Sequence, residues 1–315
     1  MFSRRSGTDI STRSDRTTCL PGVRLTVEAA PGANPEGKEE RELQLRMNLF
    51  LWVLFAPALA VFMAFFILPL GRLALASSTG PMGLKIYWSA ISTPRYFEAL
   101  VYTILLSVGV TVVTLIIAGI SGVFLTRNDF RGKPLLVSML TFPLAFPGVV
   151  VGFMIILLVG RQGLIGDISK AVTGGKVVLA YSMAGLFLGY LYFSIPRVIT
   201  TIMAAAEKID RNLEEAARSL GASHWRVVKD VLIPALVPGL ISSGAICFAT
   251  SMGAFGTAFT LATDIDVLPI VIYTEFTLLA NISMAAALSI VLGLITWVAL
   301  SVARAAAGST VAAAG

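Results

Sequence analysis

The sequence predicts an all-α membrane protein with six transmembrane helices and both termini in the cytoplasm. Hydrophobic residues make up 56% of the 315-residue chain, and only 13% of the residues are charged. Fifteen of the charges fall in residues 1–48, so the rest of the chain has the composition of a membrane protein. A helix needs about 20 apolar residues to cross the hydrocarbon of a bilayer, and six runs of that length follow.

The six runs are nearly free of charge, and the segments between them hold most of the charged residues. The predicted spans are 49–70, 100–125, 135–160, 177–199, 236–261 and 281–302. We expect residues 1–48 to be a polar, disordered cytoplasmic tail, 49–304 a transmembrane domain and 305–315 a short cytoplasmic tail. Met47 directly precedes the first span, which also suggests a shorter protein that starts at that residue.

Several spans contain prolines, which predict kinks or breaks in their helices. The prolines are Pro143, Pro147, Pro196 and Pro238. Each lacks the N–H that would bond to a carbonyl one turn earlier in the helix. The prolines therefore either adjust the packing of neighbouring helices or line a water-filled pathway in which the freed carbonyl is hydrogen-bonded. Gly185 and Gly189 form a small-residue pair that predicts close helix contact.

The distribution of Lys and Arg predicts the orientation. With the N-terminus inside, the cytoplasmic segments hold 18 of these residues, Arg197 included, and the other side holds six. This spread accounts for the net charge of +6 without a nucleic-acid partner. Cys19 and Cys247 predict neither a disulfide nor a metal site.

The cytoplasmic loop at 204–236 carries the most specific pattern. Asn212 and Glu215 predict a capping box at the start of a short helix, and Gly221 predicts its end. One apolar face with helical spacing follows from Leu213, Ala216, Ala217 and Leu220. A second helix starts at Ser223 and reaches Pro234. The first helix either packs on the protein's own helix ends or enters a groove of a separate soluble protein.

The same loop resembles the EAA loop of permease subunits of bacterial binding-protein-dependent ABC importers. The family pattern is EAA, three residues, Gly, nine residues and I-x-L-P, and here Glu215-Ala216-Ala217, Gly221 and 231–234 (VLIP) match it. The resemblance implies a type I importer permease in the bacterial inner membrane whose coupling helix docks on the ATPase. Leu213, Glu215, Ala216, Ala217, Leu220, Gly221 and Pro234 would then form the coupling site.

The resemblance also implies the partners and the solute. We expect an ABC ATPase dimer that binds ATP and Mg²⁺, a second and related permease subunit, and a periplasmic solute-binding protein. The chain has no GxxxxGK[ST] motif, so we expect neither a cofactor nor ATP hydrolysis in this subunit. The family likeness is greatest for spermidine/putrescine-type permeases, with iron, thiamine, sulfate and aminoethylphosphonate permeases as alternatives.

The connection between spans five and six contains acidic residues and no Lys or Arg. Asp264, Asp266 and Glu275 are predicted to face outward, where they are either ordinary loop acids or part of the substrate pathway. Glu275 lies in an apolar segment, where a carboxylate usually faces a cavity or a partner. With Tyr273 beside it, it would suit a cationic substrate such as a polyamine.

Two rival classes have weaker support. The run 119–122 (GISG) matches an intramembrane serine protease pattern, but the single histidine, His224, lies in a predicted cytoplasmic loop. A secondary transporter usually has ionisable residues inside its spans and inverted repeats, and the sequence shows no repeat.

Overall fold

The computed structural model describes residues 52–261 and 265–311, with side chains up to residue 308. The predicted tail at 1–48 and Asp264 lie outside the described residues. Within the described ranges, six helices are long and apolar enough to cross a membrane, as the hydropathy predicts. They are Trp52–Ser78, Pro94–Arg127, Gly148–Thr173, Met183–Glu207, His224–Met252 and Ile282–Gly308. The third of these is interrupted at 160–163, so that its regular helix from Gly148 ends at Val159 and a separate short helix follows.

The chain divides into two units between Met63 and Ala64. Of the first unit, the structure describes residues 52–63, which are helical. The helices of the second unit are α1 (Leu68–Ser78), α2 (Lys85–Ser92), α3 (Pro94–Arg127), α4 (Lys133–Ala145), α5 (Gly148–Val159), α6 (Leu164–Thr173), α7 (Met183–Glu207), α8 (Arg211–Ser219), α9 (His224–Met252), α10 (Phe255–Leu261), α11 (Leu268–Leu278) and α12 (Ile282–Val311).

The third predicted span, 135–160, is divided into two helices. Helix α4 ends in a 3₁₀ turn that contains Pro143, and Pro147 then has extended backbone with ψ of 148°. Proline has no N–H to continue the helical ladder, so the break falls where the sequence predicts it. The spanning helix starts beyond this break, at Gly148.

The fourth span is displaced toward the C-terminus. Helix α7 begins at Met183 rather than at residue 177, because Ser182 caps it by accepting a hydrogen bond from the Gly185 amide at 3.4 Å. The helix continues through Pro196 to Glu207. Arg197, counted above with the cytoplasmic charges, therefore lies inside a spanning helix.

The fifth span also differs from its prediction at 236–261. Helix α9 starts at His224, after the Ser223 cap, and contains a π-turn at Val228–Leu232. Pro234 cannot donate in the ladder, and a π-turn is a common way to accommodate such a defect without ending the helix. The helix ends at Met252, and α10 follows as a separate segment.

The main core lies among α3, α5, α7, α9 and α10, where buried apolar side chains such as Val110, Ile155, Leu186 and Ile202 meet. Gly189 confirms the expected close contact, since a Cβ there would lie 2.8 Å from Thr257 Cγ2 of α10. A second core joins α2, the start of α3, α11 and α12.

Candidate docking helix and pathway residues

The N-cap of helix α8 lies two residues before the predicted cap, Asn212. The backbone of Asp210 is extended, and its carboxylate accepts a hydrogen bond from the Asn212 amide at 2.9 Å. Asp210 is thus the N-cap, and the capping box predicted for Asn212 and Glu215 is wrong. Buried Ile209 packs with Leu232, which holds the chain in place just before Asp210.

The end of α8 agrees with the sequence. Gly221 has φ of +84°, a conformation that a side chain disfavours. Its N–H donates to the Arg218 carbonyl at 2.9 Å, and the Ala222 N–H donates to the Ala217 carbonyl at 3.0 Å. These two bonds form a Schellman motif, so the glycine both ends the helix and turns the chain toward α9.

A buried ion pair fixes α8 to the end of α3. Glu214 is 8% exposed, and its Oε1 lies 2.7 Å from a terminal nitrogen of Arg127. Arg211 donates in turn to the Thr126 carbonyl at 3.1 Å. The sequence reasoning missed Glu214 and Arg127, because two residues far apart in the chain leave no local pattern that connects them.

The opposite face of α8 has no cover within the described chain. Leu213 is 55% exposed and Leu220 is 90% exposed. Ala216 and Glu215 are exposed too, and Ala217 is half-buried. Of the two alternatives left open by the sequence, packing of this apolar face on the protein's own helix ends is not seen among the described residues, where Leu213 and Leu220 remain exposed.

Helix α9, which follows α8, packs near the end of α7. Leu232 and Leu236 are buried against Ala206 and Ile209 at the end of α7. Pro234 lies between them at the start of the regular part of α9 and is itself exposed. Trp225, 70% exposed, extends the apolar surface beyond Gly221.

A polar cavity of about 420 Å³ lies where α3, α4, α7 and α8 meet. On its rim, the Lys133 ammonium donates to Asp129 at 2.8 Å and lowers the pKa of that carboxyl below its ordinary value. Arg127 and Arg211 also line the cavity. The junction under α8 is therefore lined by charged side chains, in contrast to the apolar face that α8 presents outward.

Glu275, the candidate pathway carboxylate, is 2% exposed and has its own partners. The Tyr96 hydroxyl donates to Oε1 at 2.9 Å, and the Asn281 side-chain amide donates to Oε2 at 3.2 Å. Arg95 lies 3.8 Å from Oε1 and 3.9 Å from an oxygen of Asp266. The buried carboxylate thus joins α3 to the turn before α12.

Tyr273 belongs to an apolar cluster instead. Its ring centroid is 5.4 Å from that of Phe255 and 5.4 Å from that of Phe259. The structure brings Asp266 and Glu275 together through Arg95 but does not bring Tyr273 to either of them. No group of three or more metal-ligating side chains occurs within the described residues.

These features define a multi-pass helical membrane protein that presents a short amphipathic helix from the loop before its fifth span. The comparisons then give its family. Residues 114–308 match the family described as binding-protein-dependent transport system inner membrane component, and this chain belongs to that family. It is accordingly a multi-pass inner membrane protein and a permease subunit of a binding-protein-dependent importer.

Two curated relatives illustrate the range within the family. The molybdenum transport system permease protein ModB of Escherichia coli (strain K12) is 36% identical over 166 residues, which cover 51% of this chain and 72% of ModB. The sulfate transport system permease protein CysT of the same organism is 29% identical over 200 residues, covering 63% and 70% respectively.

The fold has a solved counterpart as well. A chain of a bacterial ABC transporter involved in the import of the acidic polysaccharide alginate superimposes with a TM-score of 0.71. The match covers 86% of this chain and 99% of that chain, at 16% sequence identity. This likeness confirms the importer-permease fold expected from the EAA pattern.

Proposed function

We propose that this chain encloses part of the translocation pathway of an ATP-driven importer and couples it to a separate ATPase through α8. The uncovered apolar face of α8 carries the proposal, because the helix is fixed by its buried side and capped at both ends. Leu213, Ala216 and Leu220 then form a preformed ridge that suits a groove on a soluble partner.

The partners follow from this role. A dimer of ABC ATPases supplies ATP and Mg²⁺, since the chain itself has no GxxxxGK[ST] sequence. A second permease subunit completes the pathway, and a periplasmic binding protein delivers the solute. One solved relative is an alginate ABC transporter in complex with an alginate-bound periplasmic protein, which supports the last partner.

For the solute we propose a small tetrahedral oxyanion such as molybdate or sulfate. The two curated relatives above are named for molybdenum and sulfate transport, and molybdenum dissolves in neutral water as the dianion molybdate. No relative above supports a polyamine. Glu275, on which the cationic substrate rested, already accepts hydrogen bonds from Tyr96 and Asn281 and lies beside Arg95.

Two contacts of α8 and its neighbours support this coupling role. When the two ATPases close on ATP, each pulls on its docked helix. In this chain the motion passes through the Glu214–Arg127 pair to the end of α3. It also passes through Leu232 and Ile209 to the end of α7. When the cytoplasmic ends of the spanning helices move together and apart, the translocation pathway opens to one side of the membrane and then to the other.

The test replaces Ala216 and Ala217 together by Glu in the assembled transporter. Two bulky charges on the docking face are expected to abolish substrate-stimulated ATPase activity, while the permease still inserts and remains folded. Ala171→Glu provides the matched control, because Ala171 is an exposed alanine on the short helix α6, predicted to lie on the opposite side of the membrane. Unchanged stimulation in the double variant would refute docking through α8.

A further inference from the structure

Arg197 is a charged residue inside the spanning helix α7, and the transport function assigned so far gives it no role. It is the one charged residue of α7 before the last position, Glu207. With a rise of ~1.5 Å per residue, Arg197 lies about 21 Å from the start of α7 and about 15 Å from its end. A hydrocarbon layer of about 30 Å centred on this helix includes that position.

Contacts with α3 give the same depth independently. Ile202 of α7 lies against Gly122 of α3, five residues before Arg127. Arg127 marks the level of the docking helix, since it pairs with Glu214. Counting along both helices places Arg197 about 15 Å from that level, toward the predicted outer side. Arg197 thus lies within the stretch of α7 that is long and apolar enough to cross a membrane, about 15 Å from the level of Arg127.

The side chain of Arg197 does not reach for the nearer surface. Its guanidinium carbon lies 5.8 Å from the ring centroid of Phe193, which is one turn closer to the start of α7. A lipid-facing arginine at this depth would extend toward the headgroups on the nearer side. Here the side chain points toward the start of α7, and it is half-buried rather than exposed.

The guanidinium also has unused hydrogen-bonding capacity. Within the described part of the chain, it donates no hydrogen bond and no carboxylate lies within 4.0 Å of it. The nearby hydroxyls of Thr200 and Thr201 donate to the Arg197 backbone carbonyl, at 2.8 Å and 3.0 Å. A charge at this depth is costly unless it meets a counter-charge.

We infer that Arg197 is the residue that contacts the oxyanion during its passage through the membrane. Its planar fork of N–H donors matches two oxygens of a tetrahedral dianion, and the low-dielectric surroundings strengthen that contact. The inference rests on the proposed function, in which the solute is an oxyanion, and it names Arg197 as the residue that selects this solute. The competing explanation is an ion pair with a carboxylate of the second permease subunit.

The test uses the whole transporter in proteoliposomes loaded with ATP, with the binding protein and labelled molybdate or sulfate outside. Arg197→Gln is expected to lower the uptake rate by about tenfold or more, the factor for losing a charge-assisted contact. Arg197→Lys keeps the charge without the fork and should give an intermediate rate. Arg161→Gln is the matched control and should transport normally, because Arg161 stacks at the same 5.8 Å on Tyr181 but is exposed outside the helices.

Each outcome has a distinct meaning. The inference is overturned if both Arg197 variants take up the anion at the wild-type rate. If Arg197→Gln cannot be recovered from membranes, a wild-type rate in Arg197→Lys alone overturns it. Loss of the second permease from purified Arg197→Gln also overturns it and assigns the guanidinium to the subunit interface. A wild-type transporter that takes up neither anion, while its ATPase still copurifies, overturns the oxyanion assignment and this inference together but leaves the coupling role of α8 intact.

Discussion

Glu214 in α8 and Glu275 in α11 are both buried carboxylates beside an arginine, but the groups that hold them differ. Glu214 depends on a single ion contact, 2.7 Å to Arg127, and its Oε1 has no hydrogen bond of good geometry. Glu275 accepts two hydrogen bonds from side chains, and its arginine is more distant at 3.8 Å.

The difference suggests that Glu214 transmits motion between helices, whereas Glu275 stabilises the fold. A carboxylate held by one ion pair fixes α8 firmly to α3 but forms few other restraints, which suits an element that moves with a partner. A carboxylate satisfied on both oxygens resists displacement, because moving it leaves several buried polar groups without partners. We therefore expect substitutions at Glu275 to affect stability most, and substitutions at Glu214 to affect coupling most.

The largest loss of stability is expected for Glu275→Leu. It leaves the Tyr96 hydroxyl and the Asn281 amide without their acceptor and Arg95 without its buried counter-charge, at a cost of roughly 3 kcal/mol. Asn281 also accepts from the Met284 amide at the start of α12, so the defect reaches a spanning helix. Thermal unfolding of the purified protein in detergent measures the loss. Glu275→Gln, which retains an acceptor oxygen for Tyr96, should lose less than half as much.

Glu214→Ala is expected to cost less stability, about 2 kcal/mol, because only one charged contact is lost. Its main effect is on coupling, since α8 is no longer tied to α3. Substrate-stimulated ATPase activity should fall by about tenfold, while the ATPase still copurifies through the intact apolar face.

A double-mutant cycle with Arg127→Ala sharpens this prediction. If the two residues act as one unit, the double variant is no worse than either single variant. Additive losses in stimulated ATPase activity would show that Glu214 and Arg127 serve coupling separately, and the contrast with Glu275 would then disappear.

The two regions also show how far the sequence alone can lead. The number of spans, the apolar face of α8 and its end at Gly221 were predicted correctly, because each depends on residues close together in the sequence, whereas the bounds of the third, fourth and fifth spans were not. Asp210 and Asn212 are equally good caps two residues apart, and the choice depends on Ile209 packing against Leu232, which no local pattern records.

The remaining misses have the same cause. The Glu214–Arg127 and Glu275–Tyr96 pairs join distant parts of the chain, so burial and charge pairing become visible only once the helices are packed. Arg197 was counted with the cytoplasmic charges although it lies near the end of the predicted span 177–199, and α7 extends past that end to Glu207.

Gly221→Ala is expected to have a smaller effect on stability, about 1 kcal/mol. No atom lies within 4 Å of the added Cβ, so the cost arises from the positive φ alone. The turn after α8 would shift, so stimulated ATPase activity should fall a few-fold, and an activity assay together with thermal unfolding checks both effects. Gly175→Ala, equally open but without a positive φ, should behave as wild type.

The smallest effect is expected for Asp266→Asn, next to Glu275. Its carboxylate is 56% exposed and lies 3.9 Å from Arg95, and an ion pair of this kind contributes about 0–1 kcal/mol. Thermal unfolding and oxyanion uptake should both remain close to wild type. If uptake instead fell by tenfold with stability unchanged, the outer charges would act on the solute itself. Glu275 and its neighbours would then have to be regarded as part of the pathway rather than as a structural support.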